Sequence, residues 1–203
     1  MSIGKLTAAA IISLITVCAA GVINNSREVE GMTDKLIRIH VVANSDSESD
    51  QRLKLMVRDG ILGEVYGLAG ECKTKQEALS AISSGLDEIT RRAEEVVLQS
   101  GAQLSVSCTL SREDFPQKSY DGFTLPAGEY DALCVRLGSA EGKNWWCVCY
   151  PSLCVGAFSK IDDCGVFTEG ELKIVTQPEK VRYKLWCYEA VMKLKALFSK
   201  ARA

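Results

Sequence analysis

The chain has 203 residues, a formal net charge of −2 and 25% charged residues. That balance offers no basic excess for nucleic-acid binding and lacks the composition of a disordered chain. With 47% hydrophobic residues, the length suits one domain with a sizeable core, preceded by a leader.

Lys5 is the only charged side chain before Arg27, and Leu6–Ala20 is an uninterrupted run of apolar and small residues. One positive charge, that run and the small residues at Cys18-Ala19-Ala20 predict a secretory signal cut after Ala20. Continued through Gly21-Val22-Ile23, the run approaches the roughly 20 residues a membrane span needs. Residues 1–23 therefore read as a signal peptide or an N-terminal membrane anchor. A lipoprotein cysteine at Cys18 is disfavoured by the bulk of Val17. Residues 24–34, polar and containing Gly31, read as a tether, and 35–200 as the domain.

The domain opens on Leu36–Leu62, LIRIHVVANSDSESDQRLKLMVRDGIL. Leu36–Val42 is rich in β-branched residues and ends at the turn signal Ala43-Asn44, which predicts a strand. Ser47-Glu48-Ser49-Asp50 fits the capping pattern in which a hydroxyl and a carboxylate satisfy free helix N–H groups. Glu48 and Arg52 form a favourably ordered i,i+4 pair. Leu53, Val57, Ile61 and Val65 then recur every fourth residue, the stripe of an amphipathic helix, with a break expected at Gly67 and Gly70. A second capping box, Thr74 with Glu77, starts one helix through Leu79, Ile82, Leu86, Ile89, Ala93 and Val96, ending near Gly101.

Leu104, Val106, Cys108 and Leu110 alternate with polar residues, a half-buried strand with a core thiol at Cys108. Ser111–Lys118 reads as a loop. Tyr120–Leu125 and Glu129–Leu137 flank Pro126-Ala127-Gly128 and read as a hairpin. Gly138–Asn144 is a second turn and Trp145–Tyr150 a third strand. Residues 152–177 read as irregular. Pro178-Glu179 opens a last helix to about Lys200, whose terminal Lys193, Lys195, Lys200 and Arg202 complement the helix dipole. The predicted class is α/β (α+β): strand, helix, helix, then a mostly antiparallel sheet and a C-terminal helix.

Asn144–Cys154, NWWCVCYPSLC, is the second dense stretch. In a strand Trp145, Cys147 and Cys149 share one face, and Trp146, Val148 and Tyr150 the other. Pro151 ends the strand, and a turn there brings Cys154 back toward Cys147 or Cys149. Outside the leader there are eight cysteines, an even number compatible with disulfides in an oxidising compartment.

Two stretches carry a family resemblance. The run I-R-x-H-V-x-A-N-S-D-S-x-x-D-Q-x-x-K-L-x-V-R-D from Ile37 to Asp59 resembles the opening of the stage II sporulation protein R family. Gly142, Asn144, Trp145, Trp146, Cys147, Val148, Pro151 and Cys154 match that family's G-x-N-W-W-C-V-x-x-P-P-x-C signature. Ser152 stands where the family usually has a second proline, and Cys149 is an additional thiol. The candidate disulfide is Cys147 with Cys154, and Cys149 offers Cys154 a second neighbour. The resemblance spans about Leu36 to Ala196. It implies a signal exported by the forespore into the space between the two sporulation membranes, where it activates a membrane-embedded aspartic protease that processes pro-sigma-E in the mother cell.

Read for chemistry, the residues favour binding. His40, the sole histidine, sits mid-strand; no G-x-S-x-G elbow or C-x-x-C motif accompanies it. Cys147 with His40 is the couple on which a secreted Cys/His-dependent enzyme of the cell envelope would rest, the alternative reading. Cys147, Cys149, Cys154 and Cys164 lack the knuckle spacing of a zinc site, so neither metal nor cofactor is expected. Expected partner-binding residues are His40, Asn44, Ser45, Asp46 and Asp50 around the polar turn, and Trp145 and Trp146 as indole anchors. The expected partner is the protease, with no nucleic acid and no small-molecule substrate, and with membrane contact only through an uncleaved leader.

Overall fold

A computed structural model describes residues 28–151, 153, 161–177 and 179, which belong to two compact units. The leader, Cys154 and the helix expected over 178–200 lie outside the described residues, Glu179 apart. The fold is mixed α/β. No helix among the described residues is long and apolar enough to cross a membrane.

The larger unit comprises 34–115 and 129–166. Its strand β1 (Ile37–Val42) leads to helix α1 (Glu48–Ala69), followed by α2 (Lys75–Ser84), α3 (Leu86–Gln99) and strand β2 (Val106–Phe115). Strands β5 (Gly128–Leu137) and β6 (Asn144–Tyr150) complete a four-stranded sheet in the order β2-β5-β1-β6. The central β1 runs parallel to β5, with His40 opposite Cys134, and antiparallel to β6, with His40 opposite Trp146. A short 3-10 turn covers Ile161–Cys164.

One face of the sheet carries Ile37, Ile39, Val41, Leu133, Val135, Leu137, Cys147 and Cys149 into a core shared with Val57, Ile61, Val65, Ile89 and Ala93 of the helices. The stripe Leu53, Val57, Ile61, Val65 is buried as its spacing predicts. Burying a side chain such as Ile61 contributes about 2 kcal/mol. On the opposite face Arg38, Ala132, Cys134 and Val148 are also buried, so β1 is a strand covered on both sides. Its helix-side face is apolar, whereas the other face carries Arg38 and His40.

Several expectations are corrected. The second helix is two helices, because Gly85 stands where α2 meets α3 and a Cβ there would overlap the Leu68 side chain. The apolar spacing continues across this break, so periodicity alone cannot reveal it. The first helix passes through Gly67 and ends at Ala69. β2 extends through the expected loop to Phe115. The hairpin about Pro126-Ala127-Gly128 does not form. Lys118–Tyr120 (β3) and Phe123–Leu125 (β4) instead pair with each other around Asp121-Gly122, while β5 joins the main sheet.

The smaller unit includes 28–33, 116–128 and 167–177 among its described residues. Residues 28–33, placed by sequence in a tether, are helical, with Val29 and Met32 buried. Part of the stretch read as irregular is a helix, α4 (Glu169–Thr176), which packs against β4. Its start is a full capping box: Thr168 Oγ1 accepts from Glu171 N, and Glu171 Oε2 accepts from Thr168 N at 2.7 Å.

Candidate functional site

The polar turn between β1 and α1 is held by its own side chains. Ser47 caps α1 by accepting the N–H of Asp50 at 3.2 Å, and Glu48 pairs with Arg52 at 2.6 Å, as their spacing predicts. The reciprocal half of the capping box is absent. The Asp50 carboxylate instead turns back to accept from Asn44 Nδ2 at 2.9 Å and Ser45 Oγ at 2.6 Å. The Ser47 N–H is satisfied by Ser45 Oγ at 3.2 Å. These donors, Ser45 first and Asn44 second, hold the Asp50 carboxyl below its ordinary value.

The same turn grips the loop between β5 and β6. Asn44 Oδ1 accepts from Ser139 N at 2.9 Å, and the Asn44 carbonyl accepts from Ser139 Oγ at 2.9 Å and Glu141 N at 3.2 Å. Asp46 Oδ1 accepts from Lys143 N at 2.7 Å. From α1, Gln51 Nε2 donates to the Ser45 carbonyl at 2.9 Å. Lys54, 5% exposed, donates to Gln51 Oε1 at 2.7 Å and the Lys143 carbonyl at 2.9 Å. Burial of Lys54 lowers its pKa.

Two glycines let the segments close. Gly138 has a left-handed φ of 56° and leaves room for Asn44, whose side chain a Cβ would overlap. A Cβ on Gly142 would collide with the Ser45 carbonyl. Thus Asn44, Ser45, Asp46 and Asp50 do come together, chiefly as a clamp. Ser47, Glu48 and Ser49 at its crest are exposed. Sequence reasoning missed Ser139, Lys143, Gln51 and Lys54; Gly138 and Gly142, framing a short loop, were the available signal.

The tryptophans point to opposite faces, as alternation predicts, and both are partly buried. Trp145 packs against the helix-side core, with the Arg58 guanidinium 5.2 Å from its ring. Trp146 lies on the other face, its ring 5.7 Å from the His40 imidazole. Phe115 meets the same imidazole edge-on at 5.7 Å, and Arg38 sits over Phe115 at 4.2 Å and Tyr130 at 5.0 Å. Burial is the main cause lowering the His40 pKa, opposed by a hydrogen bond to Asn144.

His40 is therefore separated from Cys147, which is buried on the helix side of the sheet. The couple expected of a Cys/His enzyme is not assembled. The thiol beside His40 is Cys134, and burial beside the Glu113 carboxylate pushes its pKa up to about 12, the reverse of an activated nucleophile. His40, Glu113 and Cys134 place donor atoms within 4.8 Å of one another.

Cys72, Cys108, Cys134, Cys149 and Cys164 are free thiols; Cys147 is not among them. Cys149 is fully buried, and its Sγ donates to the Ile37 carbonyl at 3.4 Å. The additional thiol is thus a free core residue.

Comparison with known proteins agrees with both dense stretches. The family model described as Stage II sporulation protein R matches residues 33–160. A protein of Bacillus subtilis (strain 168) named "Stage II sporulation protein R" is 40% identical over 126 residues, covering 62% of this chain. The match covers 56% of that protein's length. No solved structure matches. The clamped turn and the Trp145-Trp146 strand both fall within the matched residues, and the chain belongs to the stage II sporulation protein R family.

Proposed function

We propose that this protein is a sporulation signal, exported from the forespore into the intermembrane space, that activates a membrane-embedded aspartic protease and so triggers processing of pro-sigma-E in the mother cell. It acts as the ligand, not the protease. Family membership supports the sporulation role, and one structural observation favours a ligand. The turn Asn44–Asp50 is fastened to the β5–β6 loop by side chains on both segments, which fixes the backbone beneath the exposed Ser47-Glu48-Ser49 crest. A surface fixed before binding loses less conformational entropy on docking. Activation then follows from differential affinity for the active form of the protease. Trp145 and Trp146 border the clamped loop and provide indole contacts. The disulfide proposed is Cys147 with Cys154.

The test is co-expression in a non-sporulating host of the membrane protease, tagged pro-sigma-E and this chain carrying its leader. Processing that requires this chain supports the ligand role. Absence of processing, with export and expression of all components confirmed, refutes it.

A further inference from the structure

The geometry points to a transition-metal site, of the kind that takes Zn²⁺ or Co²⁺, formed by an imidazole nitrogen of His40, Cys134 Sγ and the Glu113 carboxylate. The three residues come from β1, β5 and β2, and their donor atoms lie within 4.8 Å of one another. Imidazole, thiolate and carboxylate are the donors that tetrahedral Zn²⁺ uses. With Zn–N near about 2.0 Å and Zn–S near about 2.3 Å, such a centre separates its donors by roughly 3.5 Å. Side-chain movement on the order of 1 Å closes the set.

Three further observations favour binding. His40 Nε2 is buried and meets no hydrogen-bond partner among the described residues, an arrangement that costs free energy unless a ligand satisfies it. The hydrogen bond to Asn144 steadies the ring, as outer partners steady metal-bound histidines. Glu113 is also pre-oriented: its Oε1 accepts from Ser111 Oγ at 3.0 Å and Arg136 Nη2 at 2.7 Å, and the carboxylate also interacts with the Cys134 thiol, a contact that a shared ion replaces. Glu113 is partly exposed, which gives the ion an entry path, while Cys134 is fully buried.

Binding replaces the Cys134 thiol proton with the metal and releases that proton to solvent; no electron changes hands. Arg136, paired with Glu113, and Arg38 add positive charge nearby, which opposes the cation and which the new thiolate offsets only in part. Three protein donors leave a fourth position for water or for a side chain of a partner. The residues stand far apart in sequence, so spacing gives no sign of the site.

The test is titration of the full-length protein, under reducing conditions, with Co²⁺ alone, followed by competition with Zn²⁺. The expected result is one equivalent bound with a thiolate-to-cobalt charge-transfer band, displaced by Zn²⁺. Cys134→Ser removes the band. Ser111→Ala, which only frees the Glu113 carboxylate, retains the band and weakens affinity about tenfold. Absence of the band in the unaltered protein, or its survival in Cys134→Ser, overturns the assignment. Should Cys134→Ser not fold, Glu113→Gln decides: unchanged Co²⁺ affinity overturns the site, and weakened affinity with the band retained supports it.

Discussion

Asn44 and Ser139 are joined twice: the Asn44 side-chain oxygen accepts the Ser139 N–H, and the Ser139 hydroxyl donates to the Asn44 carbonyl, each at 2.9 Å. The amide of the same asparagine reaches Asp50 at 2.9 Å. One side chain thus spans the end of β1, the start of α1 and the loop before β6. Asn44→Ala removes the bonds its side chain makes to the Ser139 N–H and the Asp50 carboxylate, and leaves the Ser139 hydroxyl on the residue-44 carbonyl. The expected loss is about 2–3 kcal/mol, read from urea unfolding. A loss below about 0.5 kcal/mol would show that the clamp is incidental.

Gly142 and Gly85 separate two kinds of close approach. At Gly142 a new methyl meets the Ser45 backbone, whereas at Gly85 it meets the movable end of Leu68. Gly142→Ala is therefore expected to destabilise by about 3 kcal/mol or more and Gly85→Ala by about 1–2 kcal/mol. Differential scanning calorimetry of both variants checks the order. Only Gly85→Ala should be relieved by Leu68→Ala.

The strand, turn and first helix were legible in the sequence because each rests on local chemistry: β-branched residues in β1, Ser47 as cap, and a four-residue apolar repeat in α1. Long-range pairing was not legible. Pro126-Ala127-Gly128 resembles a hairpin turn, yet β5 gains more by lying beside β1, where Leu133 and Val135 enter the core. The site divided in the same way. Asn44, Ser45, Asp46 and Asp50 stood out as a polar cluster, but their holding partners lie up to 97 residues away. Glu113 and Cys134 carried no local signal, since only the strand order brings them to His40.

The Asp50 carboxylate gives the clamp a pH dependence of defined sign. Its folded pKa lies below the ordinary 3.8, first because of the Ser45 hydroxyl and then Asn44. A depressed folded value means that the carboxylate stabilises the fold above the unfolded pKa, and that this is lost as pH falls through the folded pKa. The stability gap between the unaltered protein and Asp50→Asn should be constant near neutrality and shrink below about pH 4. A gap that widens in acid would contradict the assignment. Chemical denaturation at a series of pH values measures it.

Cys149 should resist alkylation in the folded protein. It is fully buried, its Sγ faces backbone carbonyls, and burial pushes its pKa up to about 12. Iodoacetamide with mass-spectrometric mapping should modify the partly exposed Cys72 and Cys164 first and reach Cys149 only in denaturant. Early modification of Cys149 would mean that β6 opens readily. Peptides linking Cys149 to Cys154 would reverse the pairing proposed for Cys147.

Trp146→Ala and Asn44→Ala should fail differently in the pro-sigma-E processing assay. Asn44 lies within the clamp, so its loss acts through stability, and cooling to a temperature at which the variant is folded should restore processing. Trp146 is partly exposed, beside His40. If it contacts the protease, its removal deletes a large apolar anchor, at a typical binding cost of about 2 kcal/mol or more. Cooling should then leave processing about tenfold or more below normal at limiting expression, even with folding intact by circular dichroism. Full recovery of Trp146→Ala on cooling would make the indole a packing residue and turn the search for the protease-binding surface to the exposed crest at Ser47–Ser49. Persistent loss, with Asn44→Ala rescued, would place the contact at the β6 end of the clamped loop.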